Sequence, residues 1–313
     1  MDAAFPELNS IRSLLRTTGS VLTVGTFDGV HQGHRAILEQ VRTTAQAEGC
    51  PSVLITFHPH PRAVVNGGGR LELLTPIAER VALLKSFGID EVVVVPFTPA
   101  FAALSPEAYI RDFLVQTFAP RVIVTGYDHR FGSGRQGTFE TLDRMAATYQ
   151  YRVAEIPATM LDEAAISSTK IRKALQSGQV EEAAQMLGRP YAVSGTVATG
   201  KQLGRTIGFP TANLIPLEAE QLIPAEGVYA CWALGNSFRN RAMINIGRRP
   251  TIEEAGMRTI EANLLDSFSG DLYDQPLTLQ FVARLRDEQK FGSLEALKAQ
   301  LQQDQKQAVT SLK

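Results

Sequence analysis

Cysteine is scarce in this chain. Its two cysteines, Cys50 and Cys231, stand far apart among 313 residues, which excludes a disulfide-built scaffold and a cysteine-rich zinc site and fits a reducing compartment. An excess of one charge is also lacking. Thirty-one basic residues face 32 acidic ones, a net charge of −1, so the usual electrostatic reason to grip nucleic acid or an anionic membrane surface is missing. Long apolar runs are absent: the densest, Val92 to Phe97, is strand-sized and far short of the ~20 residues of a membrane helix. The first residues, with Asp2, Glu7, Arg12 and Arg16 among scattered apolar ones, lack the basic-then-apolar layout of a leader. The expectation is a cytoplasmic globular protein whose partners are small molecules, with no nucleic acid and no membrane.

What is present is ample apolar material, 44% of a chain long enough for two domains. Val21–Gly25, Val53–Phe57, Val92–Val95, Val122–Thr125 and Tyr151–Ile156 are valine- and isoleucine-rich runs of strand length. Between them Ala36–Ala47, Ile77–Phe87, Pro106–Phe118 and Phe139–Tyr149 carry apolar residues at helical spacing. This alternation predicts an α/β domain over 1–186, a mostly parallel Rossmann-like sheet with its ligands at the carboxyl ends of the strands. From 187 to 313 the pattern changes. Tyr191–Val197, Val228–Leu234, Arg241–Ile246, Thr259–Leu265 and Leu277–Ala283 are short strands separated by turn residues, and Leu294, Leu297 and Leu301 suggest a closing helix. That predicts an antiparallel β-barrel.

All five histidines lie in the first half, each at or beyond a predicted strand end. The densest segment is GTFDGVHQGH, Gly25 to His34. Its glycines let the backbone approach a ligand, and the helix that follows offers amide N–H groups to an anion. His31 and His34, three apart, could both donate to one phosphate. Zinc on the clustered histidines is the weaker reading, since neither an HExxH nor paired cysteines are present. Gly132, Gly134 and Gly137 spell GxGxxG, but after the fourth strand rather than in the first strand-to-helix turn where a dinucleotide fingerprint belongs. Gly195–Lys201 mimics a P-loop until Gln202 replaces its Ser or Thr.

GTFDGVHQGH resembles the signature of the nucleotidyltransferase superfamily, in the form typical of prokaryotic bifunctional riboflavin kinase/FAD synthetases. TFHPHP at Thr56–Pro61, GYDHRFG at Gly126–Gly132 and SSTKIR at Ser167–Arg172 follow in the order of that family. The resemblance implies that His31, His34 and Arg172 polarise ATP phosphates, that Gly25, Phe27, Asp28, Gly33, Ser168 and Thr169 help bind ATP, and that Phe57, Pro59, Asp128 and Phe131 bind the flavin. Read by themselves, Ser167 to Thr169 are good caps for a helix over Lys170 to Gln176 whose basic first turn favours anions. His129 stands where that family usually has an aromatic residue.

LGRTIGFPTANL, Leu203 to Leu214, reads as a close-approach loop after the first barrel strand, with Thr211 and Asn213 two residues apart. On composition alone an ordinary turn is the better reading; as ligands, such oxygens suit magnesium. PTAN, NIGRRPT at Asn245–Thr251 and the segment Leu272–Phe291 resemble riboflavin kinases. That likeness implies Mg2+ with ATP at Thr211 and Asn213, ATP at Lys201 and Gly204, flavin at Arg286, and Glu261 as catalytic base. Strand alternation puts Glu261 on the face opposite Ile260 and Ala262. The expected activity is phosphorylation of riboflavin to FMN, then adenylylation of FMN to FAD with release of pyrophosphate, with no prosthetic group.

Overall fold

A computed structural model describes residues 8–65, 71–156, 166–198, 209–248, 258–268 and 270–313. It contains two compact units, Met1–Ser167 and Ser168–Lys313. In the first unit five strands, β1 (Ser20–Val24), β2 (Ser52–His58), β3 (Glu91–Pro96), β4 (Pro120–Gly126) and β5 (Arg152–Ile156), form one parallel sheet in the order β3-β2-β1-β4-β5. Each predicted strand run is present, shifted by a residue or two at its ends. Neighbouring residues on β1 point to opposite cores. Leu22 packs with Ile55, Phe101 and Phe113 on one face, and Val21 with Leu38, Leu54 and Val124 on the other. Burial on both faces is why these strands read as continuous apolar runs.

Helices Gln32–Glu48, Ile77–Ser86 and Phe139–Tyr149 occupy three of the predicted crossovers. The fourth differs. Pro106–Phe118 is not one regular α-helix: Tyr109–Val115 forms a wider π-type turn between short helical pieces. One further helix, Asn9–Thr18, precedes β1; its Ile11, Leu14 and Leu15 have helical spacing, although it was not singled out from the sequence.

The second unit is a closed six-stranded barrel, β10-β7-β6-β11-β8-β9. Its strands are β6 (Tyr191–Ala198), β7 (Ala212–Pro216), β8 (Gly227–Leu234), β9 (Arg239–Arg248), β10 (Arg258–Leu264) and β11 (Pro276–Arg286). Five of them match predicted strands. The sixth, β7, falls where a loop was expected to run on to Leu214, and it is the strand that closes the barrel between β6 and β10. Closure removes the exposed edges an open sheet would carry. Tyr229, Ile244, Ala262 and Phe281 are buried, with the Tyr229 and Phe281 rings edge to face at 5.4 Å. Gly195, in the P-loop look-alike, sits in β6 where a Cβ would meet the Ile215 carbonyl oxygen. Its glycine serves close strand approach. Helix Leu294–Ser311 packs on the barrel as the closing helix, and helices Ser168–Gln176 and Val180–Leu187 belong to this unit too, the latter lying against β6 and β11.

Candidate functional site

The sheet order makes β1 and β4 neighbours, although β2 and β3 lie to the other side of β1. Between such strands the connections diverge to either side, and ligands of open α/β sheets bind in the crevice so formed. The loop after β1 is the histidine segment, and the loop after β4 is GYDHRFG.

His31 lies at the N-terminal cap of helix Gln32–Glu48 and is 4% exposed; His34, on its first turn, is half-buried. Their rings stack at 3.7 Å and 18°. The His31 backbone N–H donates to Nδ1 of His34 at 3.2 Å. A nitrogen that accepts cannot carry the proton of a neutral imidazole, so the hydrogen of His34 resides on Nε2 as a donor. Histidine thus takes the acceptor's role in the capping arrangement, and its outer nitrogen is left with the polarity an anion needs at a helix N-terminus. Two rings stacked face to face do not converge as chelating ligands, and no group of three or more His, Cys, Asp or Glu able to hold a metal ion occurs among the described residues. His58 is exposed at the end of β2, while His60 is buried and its Nδ1 accepts from the Arg62 backbone N–H.

The chain between β1 and this helix is strained. Phe27 and Val30 have φ of 47° and 40°, beside Gly29 at 89°. A left-handed conformation costs a non-glycine residue about 1–3 kcal/mol and is especially poor for β-branched valine. Asp28, expected to serve ATP, has its carboxylate wholly inside. It accepts from the backbone N–H groups of Leu74 and Thr75 and from Arg80 at 3.2 Å. What Asp28 can offer a nucleotide is therefore main chain rather than carboxylate. Gly25 donates to the Ile55 carbonyl, and a Cβ there would strike the Phe27 ring. Gly33 is buried in the first turn of the helix.

The flavin candidates form an aromatic wall. Phe131 stacks on Tyr109 at 5.0 Å and on His129 at 5.7 Å, while Phe57 packs on Phe97 at 5.3 Å and Phe101 at 5.6 Å. Pro59 and Asp128 are exposed at the same strand ends. Sequence reasoning missed Tyr109, which the π-type turn brings under Phe131, and it missed Phe97 and Phe101. The look-alike glycine motif has a packing role here, because a Cβ on Gly137 would come within 2.4 Å of the Phe131 ring. Backbone hydrogen bonds between Phe131 and Gly137 close the loop.

His129 keeps a flat ring at the position where an aromatic residue was expected. Burial pushes its imidazole down to about 4, with Asp128 pulling the other way. The ring is consequently neutral at physiological pH. An unfolded chain, with an ordinary histidine value near 6.5, takes up a proton that the folded one refuses between those limits. Stability is thus complete above pH 6.5 and is lost as pH falls toward 4. Thermal melts of the protein and of His129→Phe across that window should show the variant with the shallower pH dependence; equal slopes would contradict a half-buried, neutral His129.

In the barrel, Glu261 on β10 pairs directly with Asn213 on β7 and, on its other side, with Asn245 on β9. Directly opposed residues of antiparallel strands project to the same face. All three are half-buried, while Ile260 and Ala262 are buried on the other face. Asn263 is also buried, and its Nδ2 donates to the Pro210 carbonyl at 2.7 Å, fastening the residue before Thr211 to the strand of Glu261. Asn245 and Glu288 were not singled out from the sequence; strand register reveals the first, and the approach of the Glu288 carboxylate to Gly247 reveals the second.

Arg286 sends its guanidinium to buried Asp304 of the last helix, through Nε at 3.0 Å and Nη2 at 2.8 Å. Its fork is committed to joining β11 and that helix, which leaves its stem to line anything beside it. In the second compact unit, Ser168 and Thr169 open helix Ser168–Gln176, two residues earlier than expected, and Arg172 is buried within it. Lys201 and Gly204, with Arg249 to Thr251 of the NIGRRPT motif, lie outside the described residues.

A model of FAD synthetase matches residues 15–170, and one of riboflavin kinase matches residues 187–312. The bifunctional riboflavin kinase/FMN adenylyltransferase of Escherichia coli K12 is 38% identical over 289 residues, covering 92% of this chain and 91% of that protein. The Bacillus subtilis protein of the same description is 34% identical, covering 93% and 92%. A crystal structure described as a macrolide-efflux protein from Streptococcus pneumoniae superposes with a TM-score of 0.83 at 32% identity, covering 92% and 93%. Among the described residues no helix is long and apolar enough to cross a membrane.

Proposed function

Since the chain belongs to the family of bifunctional riboflavin kinase/FMN adenylyltransferases, we propose that its two reactions run at separate sites, one in residues 1–186 and one in residues 187–313. The reactions themselves are ATP-dependent phosphorylation of riboflavin to FMN and adenylylation of FMN to FAD with release of pyrophosphate. ATP is a substrate of both, which fits work in the cytoplasm.

In adenylylation an FMN phosphate oxygen attacks the α-phosphorus of ATP and pyrophosphate leaves. No protein nucleophile is required. The demand is alignment of two anions and neutralisation of charge on the leaving group. His31 and His34 meet it from the N-terminus of helix Gln32–Glu48, His34 donating through Nε2. Gly25, Phe27, Asp28 and Gly33 shape the approach of the nucleotide through main chain and ring. Arg172, with Ser168 and Thr169, is assigned to ATP by family likeness. Phe57, Pro59 and Phe131 supply apolar surface to the flavin, with Asp128 at its polar edge.

In phosphorylation the ribityl 5′-hydroxyl must lose its proton as it attacks the γ-phosphorus of ATP. Glu261 takes that proton. Thr211 and Asn213 would hold magnesium: a neutral amide oxygen directly across the ladder from a carboxylate is a hard-oxygen donor set that suits this ion with its remaining waters and phosphates. When bound, the ion neutralises charge on the transferred group. Lys201 and Gly204 are assigned to ATP, and Arg286 borders the flavin with its stem. No prosthetic group is needed for either step.

The observation that carries this reading is the register that sets Glu261 opposite Asn213, since proton acceptor and metal ligand then share one face of one strand pair. Incubation of the pure protein with riboflavin, ATP and magnesium should yield FMN first and FAD later, with one pyrophosphate per FAD. Appearance of FMN alone, or conversion of supplied FMN without any use of riboflavin, would reduce the protein to one working half.

A further inference from the structure

The strained loop that carries the histidines is held from beneath by a residue with no access to substrate. Arg80, on helix Ile77–Ser86, is 1% exposed. Its Nη1 donates to the Thr26 carbonyl at 3.0 Å, and its Nη2 donates to the Thr75 carbonyl at 2.9 Å and to the Asp28 carboxylate at 3.2 Å. The same Asp28 carboxylate collects the backbone N–H groups of Leu74 and Thr75, and the Thr56 hydroxyl adds a bond to the Thr26 carbonyl. Three elements of the first unit, the β1 loop, the 74–75 segment and the Ile77–Ser86 helix, are thereby locked around one guanidinium. Phe27, Gly29 and Val30, all at positive φ, follow directly and lead to His31.

A strained conformation persists only where its surroundings over-determine it. A buried ion pair is a weak source of net stability and a good source of unique geometry, because its planar fork tolerates few arrangements. We propose that Arg80 is a positioning residue for ATP in the adenylylation reaction: by fixing the Thr26 carbonyl and the Asp28 carboxylate it sets the path of the loop that delivers His31 and His34 to the nucleotide phosphates. This rests on the assignment of those two histidines to ATP. Lysine in place of Arg80 keeps the charge opposite Asp28 but cannot bond three acceptors in one plane. Glutamine loses the charge and most of the donors.

Steady-state kinetics on the full chain tests it, with Arg80→Gln and Arg80→Lys assayed for FAD formation from supplied FMN and, in parallel, for FMN formation from riboflavin. The KM for ATP in FAD formation should rise on the order of 10- to 100-fold in Arg80→Gln, and by less in Arg80→Lys. kcat should fall less than KM rises, and the kinase constants should stay within about twofold of the parent. A merely structural role would lower kcat of FAD formation in step with the folded fraction seen by thermal melting, leave the ATP KM alone, and so overturn the proposal. Arg80→Lys carries the test if Arg80→Gln does not fold. His34→Ala in the same assay separates the two layers. If it leaves FAD formation intact the histidine assignment fails, whereas a damaged His34→Ala beside an unchanged ATP KM in both Arg80 variants sinks only the role of Arg80.

Discussion

Replacing His31 by alanine is expected to lower the rate of FAD formation by roughly 10²–10³-fold, the range for deleting one preorganised donor to a developing negative charge, while FMN continues to form from riboflavin. The size follows from placement. His31 is almost fully buried at the start of a helix and stacked on His34, so its loss removes a donor and also the face that orients the second ring. Water entering the gap would not restore it, because mobile water must reorganise as charge moves to the leaving pyrophosphate. Chromatographic separation of FMN and FAD after incubation with riboflavin, ATP and magnesium checks the outcome. Equal loss of both products in a folded variant would contradict separate sites.

The complementary result is expected for Glu261→Gln. Glutamine preserves the shape and the strand, but its amide cannot accept the hydroxyl proton, so FMN formation should fall about 10²–10⁴-fold while supplied FMN is still converted to FAD. Asn213 and Asn245 flank Glu261 in the strand ladder on either side, and glutamine leaves that ladder in place, so proton transfer is the step affected. A Glu261→Gln protein that still phosphorylates riboflavin at the parental rate would remove Glu261 as the base, and the proton would then have to leave to solvent or to the phosphate itself.

The fold was largely legible in the sequence, and the reason differs between halves. Strands buried on both faces are apolar at nearly every position, so Val53–Phe57 and Val122–Thr125 announce themselves. Barrel strands alternate, and β6 reads as such from Tyr191 to Val197. Strand β7 did not, because Ala212–Pro216 is five residues long, begins after Pro210 and contains the polar Asn213; its glycine- and proline-rich approach has the chemistry of a turn. Only pairing with β6 and β10 makes it a strand. Similarly, Pro106–Phe118 has helical spacing, and nothing in that spacing distinguishes an α-turn from the wider turn that carries Tyr109 to Phe131.

The candidate site divides along the same line. His31, His34, Thr211 and Asn213 are visible because they sit in short motifs whose residue types have a chemical purpose at that spacing. Asp28 was visible for the same reason, yet its carboxylate faces inward to Arg80, a residue 52 positions away. Arg286 likewise turns to Asp304. Sequence by itself determined the two fold classes and the family, since periodicity, turn residues and motifs act over a few residues of chain. Tertiary structure alone decided which nitrogen of His34 bears its proton, that Glu261 faces Asn213, and that Arg80 supports the histidine loop. Those are pairings between distant segments, fixed by strand register and by the need of every buried polar group for a partner, and neither is written in local order.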